Sequence, residues 1–194
     1  MLEIADIIGI AAFSISGFIV GVRKKLDLLG IVLSSFLTAL GGGIIRDVLA
    51  NREIFAFNNT LAGSIVLIVL IIGLYSKLHR FDVENRNLFV ISDAIGLASF
   101  SISGAIVGIE SGFNIFGVVF LSLITAVGGG MIRDMLINEI PFVLKEKFYA
   151  TISIIVAVVL YVLGTSDSVL IFTLFGAVVL RLIAYKKNWQ LPKI

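Results

Sequence analysis

The chain has 194 residues, of which 59% are apolar and 14% charged, with a mean hydropathy of +1.12. A soluble domain is about 45 to 50% apolar and about one quarter charged, so this composition excludes a core enclosed in water and reads as an integral membrane protein. Cysteine is absent and His79 is the single histidine, which excludes thiol chemistry, disulfides, iron-sulfur clusters and the usual zinc or copper sites, while the net charge of +2 matters less than its distribution across a bilayer.

Seven apolar stretches approach the roughly twenty residues that cross a hydrocarbon core of about 30 Å. The first, Ile4 to Val22, carries Asp6, has no basic segment or small-residue cleavage site, and is expected to be retained as a span. The second, Leu28 to Ala50, contains Gly41-Gly42-Gly43 and then Arg46-Asp47. The third runs from Leu61 to Leu78, and the fourth, Leu88 to Ile109, carries Asp93. The fifth, Ile115 to Ile137, repeats the motif as Gly128-Gly129-Gly130 and Arg133-Asp134. Phe148 to Gly164 and Val169 to Tyr185 complete the set. The connecting loops are too short for a separate catalytic domain, and no GxxxxGK[ST] phosphate loop is present to couple ATP hydrolysis to transport.

If successive loops alternate sides, eleven basic residues share one side: Arg23, Lys24, Lys25, Lys77, Arg80, Arg86, Lys145, Lys147, Lys186, Lys187 and Lys193. The other side has Arg52 alone, and Arg46, Arg133 and Arg181 fall within spans. The positive-inside rule then puts the N-terminus outside and the C-terminus in the cytoplasm, with Tyr185 and Trp189 in the aromatic belt of the cytoplasmic interface.

Residues 4 to 55 align without a gap on residues 91 to 142 at an offset of 87, and 27 of these 52 pairs are identical. Three spans separate equivalent points, so the second copy is expected to cross in the opposite sense. Inverted repeats of this kind build a pseudo-two-fold axis in the membrane plane and carry their functional site near the midplane. The expected fold is an all-α integral membrane protein: a first three-helix repeat over 1–87, a second, inverted one over 88–164, and a seventh helix with a C-terminal tail over 165–194.

In both copies, three consecutive glycines invite a helix break, since each costs roughly 1 kcal/mol relative to alanine. An unwound turn at membrane depth offers carbonyls and half-helix ends to ions; close helix packing is the competing reading. The intramembrane charges Asp6, Arg46, Asp47, Asp93, Arg133 and Asp134 are functional-site candidates by default, and structural clamps are the alternative. Neighbours at i and i+1 on a helix do not face each other. Depth therefore predicts the pairs Asp6 with Arg46 and Asp93 with Arg133, leaving Asp47 and Asp134 for backbone groups or cations. Gly17 with Gly21 and Gly104 with Gly108 have the four-residue spacing that lets helices approach closely. Ser14, Ser16, Ser101, Ser103, Thr38 and Thr125 either line a polar path or satisfy their own helix carbonyls.

With its duplicated GGG-x-x-R-D motif and three-plus-three-plus-one spans, the chain resembles the prokaryotic branch of the trimeric intracellular cation (TRIC) channel family. The resemblance implies a homotrimer with one pore per subunit. The glycine triplets would break the second and fifth helices, and Arg46, Asp47, Arg133 and Asp134 would flank the pore. It further implies conduction of monovalent cations, chiefly potassium, in a prokaryotic plasma membrane. No enzyme activity, cofactor, nucleic acid or metal other than transient monovalent cations is expected, and membrane lipids are the surrounding partner. The animal members carry a basic residue in the fourth span associated with voltage response. This chain has no Lys or Arg between Arg86 and Arg133, so that route to gating is not expected. Two other function classes are weighed against the channel: a secondary transporter of a small solute such as glycine, which shares the inverted-repeat plan, and a purely structural membrane protein.

Overall fold

A computed structural model describes residues 2–76, 86–145 and 148–189. Lys77, Arg80, Lys147 and Lys193 of the basic tally, and His79, lie outside the described residues. The elements in chain order are α1 (Leu2–Arg23), α2 (Leu28–Leu49), α3 (Phe55–Asn58), α4 (Thr60–Tyr75), α5 (Arg86–Glu110), α6 (Ile115–Leu136), α7 (Phe142–Lys145), α8 (Ala150–Leu163) and α9 (Asp167–Lys186). No strand occurs among the described residues.

Five of these helices, α1, α2, α5, α6 and α9, are long and apolar enough to cross a membrane. The expected third and sixth spans are shorter apolar helices of 16 and 14 residues, about 24 and 21 Å at the α-helical rise. Local chemistry sets two of their limits. Asn59 caps α4 by accepting from the Leu61 N–H at 2.9 Å, and Gly164, at φ 82°, ends α8 in a conformation that side chains rarely adopt. Asp27 and Asn114, at equivalent positions of the two motif-bearing segments, cap α2 and α6 through the Gly30 and Gly117 N–H groups at 2.7 and 3.0 Å.

The packing is inside-out relative to a soluble domain. Ser14, Ser16, Ser35, Ser101, Ser103, Ser122 and Thr125 are fully buried, whereas Phe116 and Phe172 are 81% and 78% exposed. A surface of large apolar side chains is stable against hydrocarbon, and an α-helix keeps its backbone hydrogen bonds within itself as the bilayer requires. The protein is a multi-pass membrane protein.

At the centre of the bundle, α5 touches α1, α6, α8 and α9, while α1 packs on α2 and α4, and α2 packs on α6. Small residues allow these approaches. A Cβ on Gly17 would stand 2.6 Å from the Ser34 carbonyl oxygen, and one on Gly104 2.8 Å from that of Leu121. Gly21 and Gly108 similarly face the backbone of Ile31 and Val118. Hydroxyls cross-link the same pairs: Ser34 donates to the Gly17 carbonyl at 2.7 Å and Ser122 to that of Ser101 at 2.8 Å.

The expected break at the glycine triplets is not found: α2 and α6 run as uninterrupted α-helix through Gly41 to Gly43 and Gly128 to Gly130. The two helices cross there, backbone against backbone. A Cβ on Gly42 would lie 2.0 Å from the Thr125 carbonyl oxygen, and one on Gly129 2.2 Å from that of Thr38. The propensity cost of three glycines, roughly 1 kcal/mol each, is outweighed because the helical ladder stays closed where lipid supplies no alternative hydrogen bonds.

Candidate ion pathway

The helix ends gather into two groups, one at each end of the bundle. Arg52 on the turn after α2 bonds Glu110 at the end of α5 (2.8 Å), which defines the amino-terminal end. At the opposite end Lys24, after α1, donates to Glu139, after α6, and the Phe148 and Trp189 rings stand 5.4 Å apart. Each end holds a buried cluster built from the last turn of a motif helix.

At the amino-terminal end, Arg46 Nη1 bonds Asp6 Oδ1 at 2.6 Å and also donates to Ser103 Oγ; that hydroxyl in turn donates to Asp6 at 2.6 Å. Arg46 Nε donates to Asp47 Oδ1 at 2.8 Å, and Asp47 Oδ2 accepts the Phe55 N–H at 3.0 Å. This last contact has a local cause. The chain leaves α2 through Asn51 in the left-handed region (φ 51°), which turns the start of α3 back over the carboxylate.

The opposite end repeats the plan at the 87-residue offset. Asn138 has φ 58°, Arg133 Nε donates to Asp134 Oδ1 at 2.8 Å, and the Phe142 N–H donates to Asp134 Oδ2 at 2.7 Å. Arg133 Nη1 reaches Ser16 Oγ at 3.4 Å, the counterpart of the Arg46 contact with Ser103. Here Asp93 has more partners than Arg133 alone. Asp93 lies in the field of Arg133 but takes its hydrogen bond from the Tyr149 hydroxyl, and the Arg181 charge acts on it as well.

One expectation is thereby corrected. Arg46 and Arg133 do bond the aspartate that follows them, because Nε sits near the stem of a long side chain and both residues occupy the last turn, where the carboxylate can swing toward it. Asp47 and Asp134 follow the backbone branch of their expectation, each giving its second oxygen to a main-chain N–H, of Phe55 and of Phe142, while the first accepts from the preceding arginine. Among the hydroxyls, Ser16 and Ser103 belong to these clusters. Thr38, Thr125 and Ser101 each donate to the carbonyl four residues back on their own helix, at 2.6 Å. Ser14 is buried without a hydrogen-bond partner among the described residues.

Two cavities flank the glycine crossing, and they differ in size. The one at the opposite end has a volume of about 330 Å³ and is lined by Arg133 and Asp134, by Arg23, Lys24 and Lys145, and by the Phe142 ring among others. Its counterpart beside Asp6, Arg46 and Asp47 holds about 10 Å³, at the lower limit for one water molecule. The wide mouth is bridged by Glu139, which accepts from both Lys24 and Lys145; these two ammonium groups hold its carboxyl down to about 2.

Comparison with known proteins bears on this arrangement. The family described as "Glycine transporter" matches residues 3–77 and 90–165. The chain is 34% identical over 196 residues to the UPF0126 membrane protein YvgT of Bacillus subtilis, covering 98% of this chain and 95% of that protein. A solved chain from work on conductance through TRIC cation channels is 36% identical, with a TM-score of 0.85, over 99% of this chain and 96% of its own. The chain belongs to the TRIC family. A second TRIC structure, the orthologue from Rhodobacter sphaeroides, superposes with a TM-score of 0.86 at 25% identity, over 97% of this chain and 98% of that one. The solved TRIC relatives are channels, not enzymes.

Within this TRIC fold, sequence reasoning overlooked two side chains that complete the second cluster. Tyr149 is 5% exposed and carries no distinguishing motif, and its 87-residue counterpart is Ala62. Arg181, 1% exposed on α9, did carry a signal, because an arginine inside an apolar span is itself a functional-site indicator.

Proposed function

We propose that the protein is a potassium-permeable channel for monovalent cations, working as a homotrimer with one pathway per subunit between α2 and α6. The observation that carries this reading is the pair of equivalent arginine-carboxylate clusters at opposite ends of one glycine crossing, each with a cavity beside it. The TRIC names of the solved relatives support cations as the cargo. The repeat supports two inverted three-helix units over 1–87 and 88–164, with 165–194 added, and seven spans in all. Arg23, Lys24, Lys25, Lys145, Lys186 and Lys187 share the wide-mouthed end, which supports a cytoplasmic location for that end and an N-terminus outside a prokaryotic plasma membrane.

In this reading the clusters act as polar stations where no carboxylate is wholly exposed to the ion, and the glycine crossing is the constriction between them. Sliding of α2 against α6 opens it, because glycines at the contact leave no side chains to disengage. Weak coordination by carbonyls and hydroxyls suits rapid passage.

The "Glycine transporter" description of the matching family favours a second reading, uptake of glycine by alternating access. Proteoliposomes separate the two. Potassium efflux down its gradient, without saturation and unaffected by glycine, is the expected result; saturable glycine uptake with no potassium leak would overturn the proposal.

A further inference from the structure

Phe13 on α1 and Phe100 on α5 occupy equivalent positions of the repeat, and their rings meet where the two helices pack, with centroids 5.3 Å apart and planes tilted by 48°. Each ring is seated on a glycine of the other helix, and these glycines are equivalent as well. A Cβ on Gly9 would lie 3.1 Å from the Phe100 ring, and one on Gly96 2.2 Å from the Phe13 ring. Chain position sets the depth of the pair. On α1, Phe13 lies between Asp6 of the amino-terminal cluster and Ser16, which reaches Arg133 in the opposite one; on α5, Phe100 lies between Asp93 and Ser103 in the same way. At the α-helical rise, each phenylalanine is about 10 Å from its aspartate and about 4.5 Å from its serine along the helix axis. The apolar pair therefore separates the two polar clusters.

The two rings differ in what they border. Phe100 lines the cavity of about 10 Å³ beside Asp6, Arg46 and Asp47, where it stands against Ala39 and Gly43 of α2. Phe13 lines neither that cavity nor the wide one, and it is the more deeply inset, its ring lying closer to the backbone of Gly96 than Phe100 does to that of Gly9. Gly43 closes the first glycine triplet, so an ion moving from the glycine crossing to the Arg46 cluster has to pass the Phe100 ring. A buried ring offers no ligand to replace the water that such an ion sheds, and apolar constrictions gate by excluding water.

We infer that Phe100 is the apolar gate of the pathway: its ring fills the amino-terminal cavity and has to withdraw before an ion can pass between the glycine crossing and the Arg46 cluster. This rests on the cation-channel reading. Phe13, wedged on Gly96, is the fixed surface against which the Phe100 ring closes.

The test combines two measurements: the rate at which Ala39→Cys, the sole cysteine of the chain, reacts with a charged thiol reagent, and the open probability of unitary potassium currents in planar bilayers. The space left by Phe100→Ala adjoins Asp6, Arg46 and Asp47 and is polar enough to hold water. That variant is expected to raise the reaction rate by about tenfold or more, and the open probability with it. Phe100→Leu, which keeps part of the apolar bulk, gives a smaller rise in the same direction and carries the test if Phe100→Ala does not assemble. Phe18→Ala removes another buried ring, one seated on Gly73 of α4 and lining neither cavity, and leaves both readouts at the wild-type level, which separates a gate from loosened packing. A wild type that conducts, with both readouts unmoved by the Phe100 variants or moved as far by Phe18→Ala, overturns the inference alone. A wild type with no cation current overturns the channel reading and the inference with it.

Discussion

Arg46 and Arg133 are each 2% exposed, so their charges survive burial only because carboxylates and hydroxyls converge on them. Removing one member of such a cluster leaves the others unpaired, which typically costs about 3 to 5 kcal/mol. Arg46→Met is accordingly expected to lower the thermal midpoint of the detergent-solubilised protein by several degrees, and Asp6→Asn/Arg46→Met to recover part of the loss; melting monitored by intrinsic fluorescence checks both. At the surface the expectation concerns pH. The Glu139 carboxyl is lowered from 4.5 to about 2 by its hydrogen bonds to Lys24 and Lys145, so the bridge is fully present above pH 4.5 and is lost as pH falls through 2. Carbon NMR of labelled Glu139 should show this titration, and Lys24→Ala/Lys145→Ala should return it toward 4.5. The buried charges themselves were legible in the sequence, since an ionisable residue in an apolar span is conspicuous. Their bonds were only partly so: spacing on an ideal helix set Arg46 and Asp47 apart, whereas side-chain length and a helix end brought them together. The Tyr149 bond to Asp93 had no sequence signal, because nothing local distinguishes a tyrosine that reaches a carboxylate from one that packs.

The helices α2 and α6 touch through glycine, and a Cβ on Gly42 or Gly129 has to displace a carbonyl. Gly42→Ala and Gly129→Ala are expected to push the helices apart and destabilise the protein by about 1 to 3 kcal/mol each, as overpacking does. Gly43→Ala, where a Cβ meets nothing within 4 Å, should be neutral or slightly stabilising. Thermal midpoints of the three variants decide whether the crossing is as tight as described. Long helices and the small-residue contacts of Gly17 and Gly104 follow from apolar length and spacing. Continuity through the triplets does not, because the local propensity of glycine and the tertiary demand for close approach point in opposite directions and only the packed state shows which prevails. The short α3 and α7 escaped notice for a related reason: each depends on an aspartate from the preceding helix accepting its first N–H.

At the scale of the whole molecule, the near-symmetric repeat produces two unequal cavities, wide at one end and nearly filled at the other. The cysteine-free chain offers a direct check of that shape. Ile140→Cys, lining the cavity of about 330 Å³, should react readily with a charged thiol reagent, and Ala39→Cys, beside the cavity of about 10 Å³, should be protected until the pathway opens. The central claim is that ions pass between α2 and α6, and single-channel recording of the purified protein in planar bilayers tests it most directly. The account predicts unitary current steps that reverse near the potassium equilibrium potential and whose open probability falls in Gly42→Leu and Gly129→Leu variants that still assemble. Silent bilayers, with saturable glycine uptake by the same preparation in vesicles, would contradict it.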